Sequence, residues 1–66
     1  MISNKENEKV IAKLYENRLK KQTPKSLSEL AEHLGISRQA LYYGMYSKDI
    51  KCSRAEEKIR AWLKGE

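Results

Sequence analysis

Sixty-six residues make one domain at most, residues 1–66, and a chain this short buries only about 60% of its unfolded surface, which leaves no room for a deep catalytic cleft. Its 39% of hydrophobic residues include no Phe and one Trp, and no apolar run approaches the roughly 20 residues of a membrane span. The 14 basic residues against 9 acidic ones give a net charge of +5 and a pI near 9.5, which favours an acidic partner such as nucleic acid or a membrane surface.

The first residues, MISNKENEKV, are polar and do not read as a signal peptide. Ser3 and Glu6 have capping-box spacing, with Asn4 as a rival N-cap. Nothing breaks a helix from Glu6 to about Lys21. Val10, Ile11, Leu14 and Tyr15 form a stripe, and Leu19 and the aliphatic stem of Arg18 extend it by a turn. This predicts a first helix packed over the segment that follows. Glu16 and Lys20 are an i,i+4 pair in the favoured order. Arg18 to Lys25, RLKKQTPK, then carries four positive charges and no acid. Pro24 cannot continue a helix and biases Thr23 to extended backbone, so Gln22 to Lys25 read as a loop.

The chain is organised around the next stretch, SLSELAEHLGISRQALYYGMYSKDIK, residues 26–51. Ser26 and Glu29 repeat the capping-box spacing. Leu27, Leu30, Ala31 and Leu34 share one helical face. Gly35 follows where a positive φ ends a helix at no Cβ cost. Ile36 is an apolar plug and Ser37 a second N-cap. Arg38 to Tyr46 can form the next helix, with Leu41 and Met45 pointing back at the first. Two short helices with a tight Gly turn between them read as a helix-turn-helix. Ala31, four residues before Gly35, suits a steep crossing with room for a methyl, and Leu41 fills the wedge. The plainer reading of these residues is a helical hairpin in a small bundle.

The run His33-Leu34-Gly35-Ile36-Ser37-Arg38-Gln39-Ala40-Leu41 resembles the helix-turn-helix of phage Cro and repressor proteins. That family shows Leu-Gly-Val/Ile-(Ser/Thr)-(Gln/Arg)-x-Ala-(Val/Ile) there. The resemblance covers about 25 of the 66 residues. It departs at Gly44, where many relatives carry Trp or another apolar residue. Glycine costs a helix about 1 kcal/mol against Ala, which bears on the length and straightness of this one. The resemblance implies that Arg38, Gln39, Tyr42 and Tyr43 are the base readers. Their chemistry agrees: Arg can hold guanine O6 and N7 in a fork, and Gln can hold adenine N6 and N7. One of the two tyrosines can instead pack on the backbone, on a thymine methyl or in the core. In such proteins the amino end of the first motif helix abuts a DNA phosphate, where free N–H groups favour an anion. The phosphate candidates are therefore Ser26, Ser28 and Ser37, the flanking Lys20, Lys21 and Lys25, and Tyr46, Lys48 and Lys51 beyond the recognition helix.

After Tyr46, Ser47-Lys48-Asp49 is turn-like and Ile50 reads as a lone apolar anchor. Ser53 and Glu56 form a third capping-box pair. Ala55, Ile59, Trp62 and Leu63 are a helical stripe that buries Trp62. No segment alternates as a strand does, so the expected fold is all-α, four helices with a lambda-repressor/Cro-like helix-turn-helix, like the all-helical Cro members. Residues 1–25 hold 7 basic and 3 acidic side chains, residues 26–51 hold 3 and 3, and residues 52–66 hold 4 and 3. The positive excess thus sits on the flanks, as expected if flanks grip phosphate and the motif reads bases. Lysines complementing a helix dipole would leave the same pattern.

His33 is the single histidine and Cys52 the single cysteine. They have neither metal-ligand spacing nor an orienting third group, so no enzyme activity, metal or cofactor is expected. A lone Cys cannot close an internal disulfide and suits a reducing cytoplasm. The sequence therefore leads to a cytoplasmic, sequence-specific regulator of transcription. It would bind a palindromic operator in double-stranded DNA as a homodimer and occlude a promoter, with no membrane and no small-molecule ligand. Two other readings stand beside this one. The first is a phage or plasmid accessory protein of excision, replication or packaging. The second is a protein–protein module of the same fold, such as an antitoxin or anti-repressor.

Overall fold

The computed structural model describes residues 1–65 and contains four α-helices: α1 (Asn4–Leu19), α2 (Leu27–Leu34), α3 (Arg38–Tyr46) and α4 (Ser53–Leu63). Among the described residues there is no strand, so the fold is all-α. Local chemistry sets most of the boundaries. At the start of α1 both halves of a capping box form: Glu6 N–H donates to Ser3 Oγ at 3.1 Å, and Ser3 N–H donates to Glu6 Oε1 at 2.9 Å. The helix stops at Leu19, two residues earlier than its uninterrupted composition allows. Lys21 adopts φ 57°, and Gln22 N–H turns back to Asn17 O at 2.8 Å. Asn17 Nδ2 donates to Pro24 O at 2.9 Å and pins the loop onto α1, with Pro24 buried beneath it.

Ser26 caps α2 by accepting from Glu29 N–H at 3.3 Å, but the reciprocal half of the expected box is missing. Glu29 Oε1 accepts from Lys25 N–H instead, at a long 3.4 Å. Gly35, at φ 72° and ψ 32°, ends the helix in the left-handed region. Gly35 N–H bonds Glu32 O at 3.1 Å and Ile36 N–H bonds Ala31 O at 3.0 Å, the double closure of a Schellman motif. Ser37 then caps α3 by accepting from Ala40 N–H at 3.0 Å.

The core is built from all four helices and the N-terminal segment: Ile2, Val10, Leu30, Leu41, Met45, Ala55 and Ile59 are fully buried, and Leu14, Ala31 and Trp62 nearly so. Leu27, Leu34, Ile36 and Leu63 pack around them. Trp62 meets the expectation of burial. Its ring lies under Lys13, whose ammonium is 4.7 Å from the ring centroid and donates to Trp62 O at 2.8 Å.

Three further expectations need correction. The α1 stripe does not pack as one face. Val10 and Leu14 go inward, whereas Ile11 and Tyr15, each about 100° round the helix from its buried neighbour, and Leu19 beyond them are 48%, 61% and 67% exposed. The capping box at Ser53 does not form: Ser53 lies inside α4, Cys52 takes the N-cap position, and no side chain caps the end. Glu56 is turned into the structure, 3.5 Å from the Met1 ammonium and 3.8 Å from Arg60. The helix begins one residue earlier than the capping-box spacing implies, which places Ser53 and Glu56 both inside it. Ile50 is 47% exposed and anchors nothing.

Candidate nucleic-acid interface

The outer face of α3 is set by what its inner face must bury. Leu41, Gly44 and Met45 turn inward. At about 100° per residue, Arg38, Tyr42, Tyr46, Gln39 and Tyr43 then follow one another, in that order, across the opposite arc. Arg38, Gln39, Tyr42 and Tyr46 are exposed and Tyr43 half-buried. The four expected base readers therefore lie on the same side of α3, with Arg38 at one edge of it.

Two i,i+4 pairs order this surface, and sequence reasoning missed both by treating the residues singly. Gln39 Nε2 donates to Tyr43 Oη at 2.6 Å. That leaves Gln39 its carboxamide oxygen and a second N–H for a ligand. The Tyr42 and Tyr46 rings lie 6.1 Å apart, tilted by 31°. Arg38 stands apart, in the cleft between α2 and α3 lined by Ser28, Glu29, Glu32 and Ile36. Its Nη1 reaches Ser28 Oγ at a long 3.4 Å, and among the described residues it forms no ion pair. Most of its donor fork stays free.

The phosphate candidates fall into three groups. The hydroxyl oxygens of Ser26 and Ser37 accept the capping N–H groups, and each keeps its O–H to donate. With Ser28 they lie at the amino ends of α2 and α3 and in the cleft between them. Lys21 and Lys25 flank the buried Pro24 in the exposed loop before α2. Lys20 is committed elsewhere: its ammonium is 2.7 Å from Glu16 Oε1, which draws the Glu16 carboxyl below its ordinary range, and it lines the α1–α4 side with Lys9, Lys13 and Leu63. Lys48 and Lys51 are exposed in the α3–α4 connection, where Ser47 Oγ accepts from Ile50 N–H at 2.9 Å. Tyr46 borders α1, in a groove with Asn7, Glu8, Ile11, Ala12 and Tyr15.

Further residues position α3 without facing outward. The end of α3 leaves carbonyls without helical partners. Ile2 N–H takes Gly44 O at 2.8 Å and Asn7 Nδ2 takes Met45 O at 2.7 Å, so the start of α1 holds the end of α3. Asn7 occupies the helix position where a hydrophobic staple to Ile2 would need an apolar side chain, so the sequence did not advertise this clamp. Gly44, the departure from the phage pattern, lies where α3 meets α4. A Cβ there would come within 2.9 Å of Ala55 Cβ and 3.4 Å of Ile59 Cδ1. Glycine permits the close crossing, and the helix continues past it to Tyr46.

His33 is exposed, bordering a depression with Thr23, Pro24, Glu29 and Glu32, and Cys52 is a half-buried free thiol. No helix among the described residues is long and apolar enough to cross a membrane. No protein-family model, curated protein or solved structure matches the chain.

Proposed function

We infer that the protein is a helix-turn-helix regulator that binds a specific site in double-stranded DNA through α3. The observation that carries this reading is the joint between α2 and α3. A left-handed glycine, an apolar plug and a serine cap join two short helices, and the second turns Arg38, Gln39, Tyr42 and Tyr43 outward on one surface. The first turn of a recognition helix points at base edges, and Arg38 and Gln39 have the donor and acceptor patterns of guanine and adenine readers. Serine hydroxyls at two helix amino ends and the lysines beside them suit the phosphates on either side.

The protomer measures 35 × 22 × 18 Å and its recognition helix has nine residues, about 13 Å of length. One copy therefore reads a single major-groove segment. Two copies on half-sites one helical turn apart, about 34 Å, give the specificity an operator needs. The protein then acts in the cytoplasm as a homodimer that blocks a promoter, with no cofactor.

Selection from random duplexes with the purified protein tests the reading. A palindromic consensus with guanine and adenine at fixed places in each half-site is expected. A folded protein that enriches no sequence would refute base reading by α3.

A further inference from the structure

The outer face of α1 carries apolar side chains that the core does not use. Ile11, Tyr15 and Leu19 recur every four residues and are 48%, 61% and 67% exposed. Ile11 and Tyr15 share a shallow groove with Tyr46, Asn7 and Glu8. Helical geometry brings Glu8 and Arg18 onto this same face, one toward each end. Both are exposed, and neither forms an ion pair among the described residues.

The order of these residues is self-complementary. The pairs 8 and 18, 11 and 15, and 7 and 19 are all centred on position 13. An antiparallel copy of α1 related by a two-fold axis at that level sets Ile11 against Tyr15 of the second copy. It sets Glu8 against Arg18 of the second copy, twice by symmetry. Leu19 of the second copy arrives level with Asn7, where the groove beside Tyr46 receives it. A two-fold interface must be self-complementary in this way.

We propose that the Ile11–Tyr15–Leu19 face of α1 is a homodimer seam, closed by a second copy of this chain lying antiparallel across it. This deepens the two-fold reading above by naming its surface, yet the seam needs no DNA to form. At +5 per chain, two copies repel each other at long range, so the two Glu8–Arg18 contacts matter for register as well as attraction. A seam one helix wide, about 24 Å long for the 16 residues of α1, falls at the small end of specific interfaces. The dimer is therefore weak and concentration-dependent without DNA. Tyr46 ends α3 beside the seam, so the seam adjoins the C-terminal end of the recognition helix.

Sedimentation of the whole protein over a concentration series, without DNA, is the test. The wild type is expected to show a monomer–dimer equilibrium. Tyr15→Asp should raise the dimer dissociation constant about tenfold or more, while the helical circular dichroism of the dilute protein stays unchanged, because Tyr15 lies outside the core. Glu8→Arg and Arg18→Glu should each weaken self-association, since each homodimer then sets like charges together twice. Mixed one to one, the two variants should form a heterodimer with both contacts restored. A wild type that stays monomeric to millimolar concentration overturns the seam, as does a dimer indifferent to Tyr15→Asp or a charge-swapped mixture that does not pair. Duplex binding measured alongside separates the two ideas. An intact dimer with no base preference sinks the DNA reading alone, and a monomer that still selects a palindrome sinks the seam alone.

Discussion

Arg38 and Gln39 are neighbours in sequence, but their side chains leave α3 about 100° apart, so they should meet different base pairs. Arg38→Ala should cost about 1–3 kcal/mol on the preferred operator and relax selectivity at one position per half-site. Gln39→Ala should do the same at a neighbouring position, and Tyr43→Phe should reproduce part of that effect, because the Tyr43 hydroxyl holds the Gln39 amide. Binding each variant to a panel of single-base operator changes measures this. Should Arg38→Ala weaken all sequences by one common factor, Arg38 grips phosphate and the bases are read further along α3. Gly44 gives a second test at this scale. In an ordinary exposed helix Gly→Ala gains about 1 kcal/mol. Here the added methyl meets Ala55 Cβ at 2.9 Å, and overpacking of this kind costs about 1–3 kcal/mol. Gly44→Ala should therefore lower the melting temperature. Combining it with Ala55→Gly should show favourable coupling in a double-mutant cycle.

Among the helices, α4 holds the ends of the domain together. Arg60 Nε reaches Glu6 Oε2 at 2.8 Å, tying α4 to the first turn of α1. The Arg60 hydrogen bond, then the Ser3 backbone N–H, lower the Glu6 carboxyl to about 2. A lowered carboxylate stabilises the fold above its unfolded value and loses that contribution as pH falls toward the folded one. The Glu6 share is therefore complete above about pH 4.5 and gone near pH 2. Glu6→Gln keeps an acceptor for Ser3 N–H but loses the charge. It should cost about 1 kcal/mol at neutral pH, the upper range for a solvent-screened pair. Urea melts of the two proteins should converge toward pH 2. Trp62 matters more. Trp62→Ala should cost about 3–5 kcal/mol, against a total of about 3–10 kcal/mol for a chain of this length. Thermal melting should show the variant largely unfolded. A variant that melts like the wild type would show that α4 contributes little to the core.

For the whole molecule, the test of phosphate contact is salt. Each lysine that neutralises a phosphate adds close to one unit to the slope of log affinity against log salt. Lys21→Ala and Lys25→Ala should each flatten that slope by about one unit on specific and non-specific DNA alike. Lys20→Ala should change it less, because Lys20 is held by Glu16. Slopes unchanged by the Lys21 and Lys25 substitutions would move the grip to Lys48, Lys51 and Arg54.

The four helices and the turn between α2 and α3 were legible in the sequence because their signals are local. Ser3, Ser26 and Ser37 each bond an N–H three residues on, and Gly35 takes the left-handed turn at no Cβ cost. The outward set on α3 was legible too, since helical periodicity separates it from Leu41 and Met45. What lay beyond the sequence depended on contacts between residues far apart in the chain. Periodicity grouped Val10 with Ile11 and Leu14 with Tyr15, and only the packing of the other helices against α1 decided which of each pair is buried. Ser53 and Glu56 had the spacing of a cap, but in the fold Glu56 is buried 3.5 Å from the Met1 ammonium, at the other end of the chain, and α4 starts at Ser53. Gly44 looked like a weakness in α3 until Ala55, eleven residues on, was seen against it. Hydrogen bonds within a turn are written in adjacent residues, whereas the choice of face, the close crossing and the clamp of Ile2 and Asn7 on α3 arise only when the helices pack.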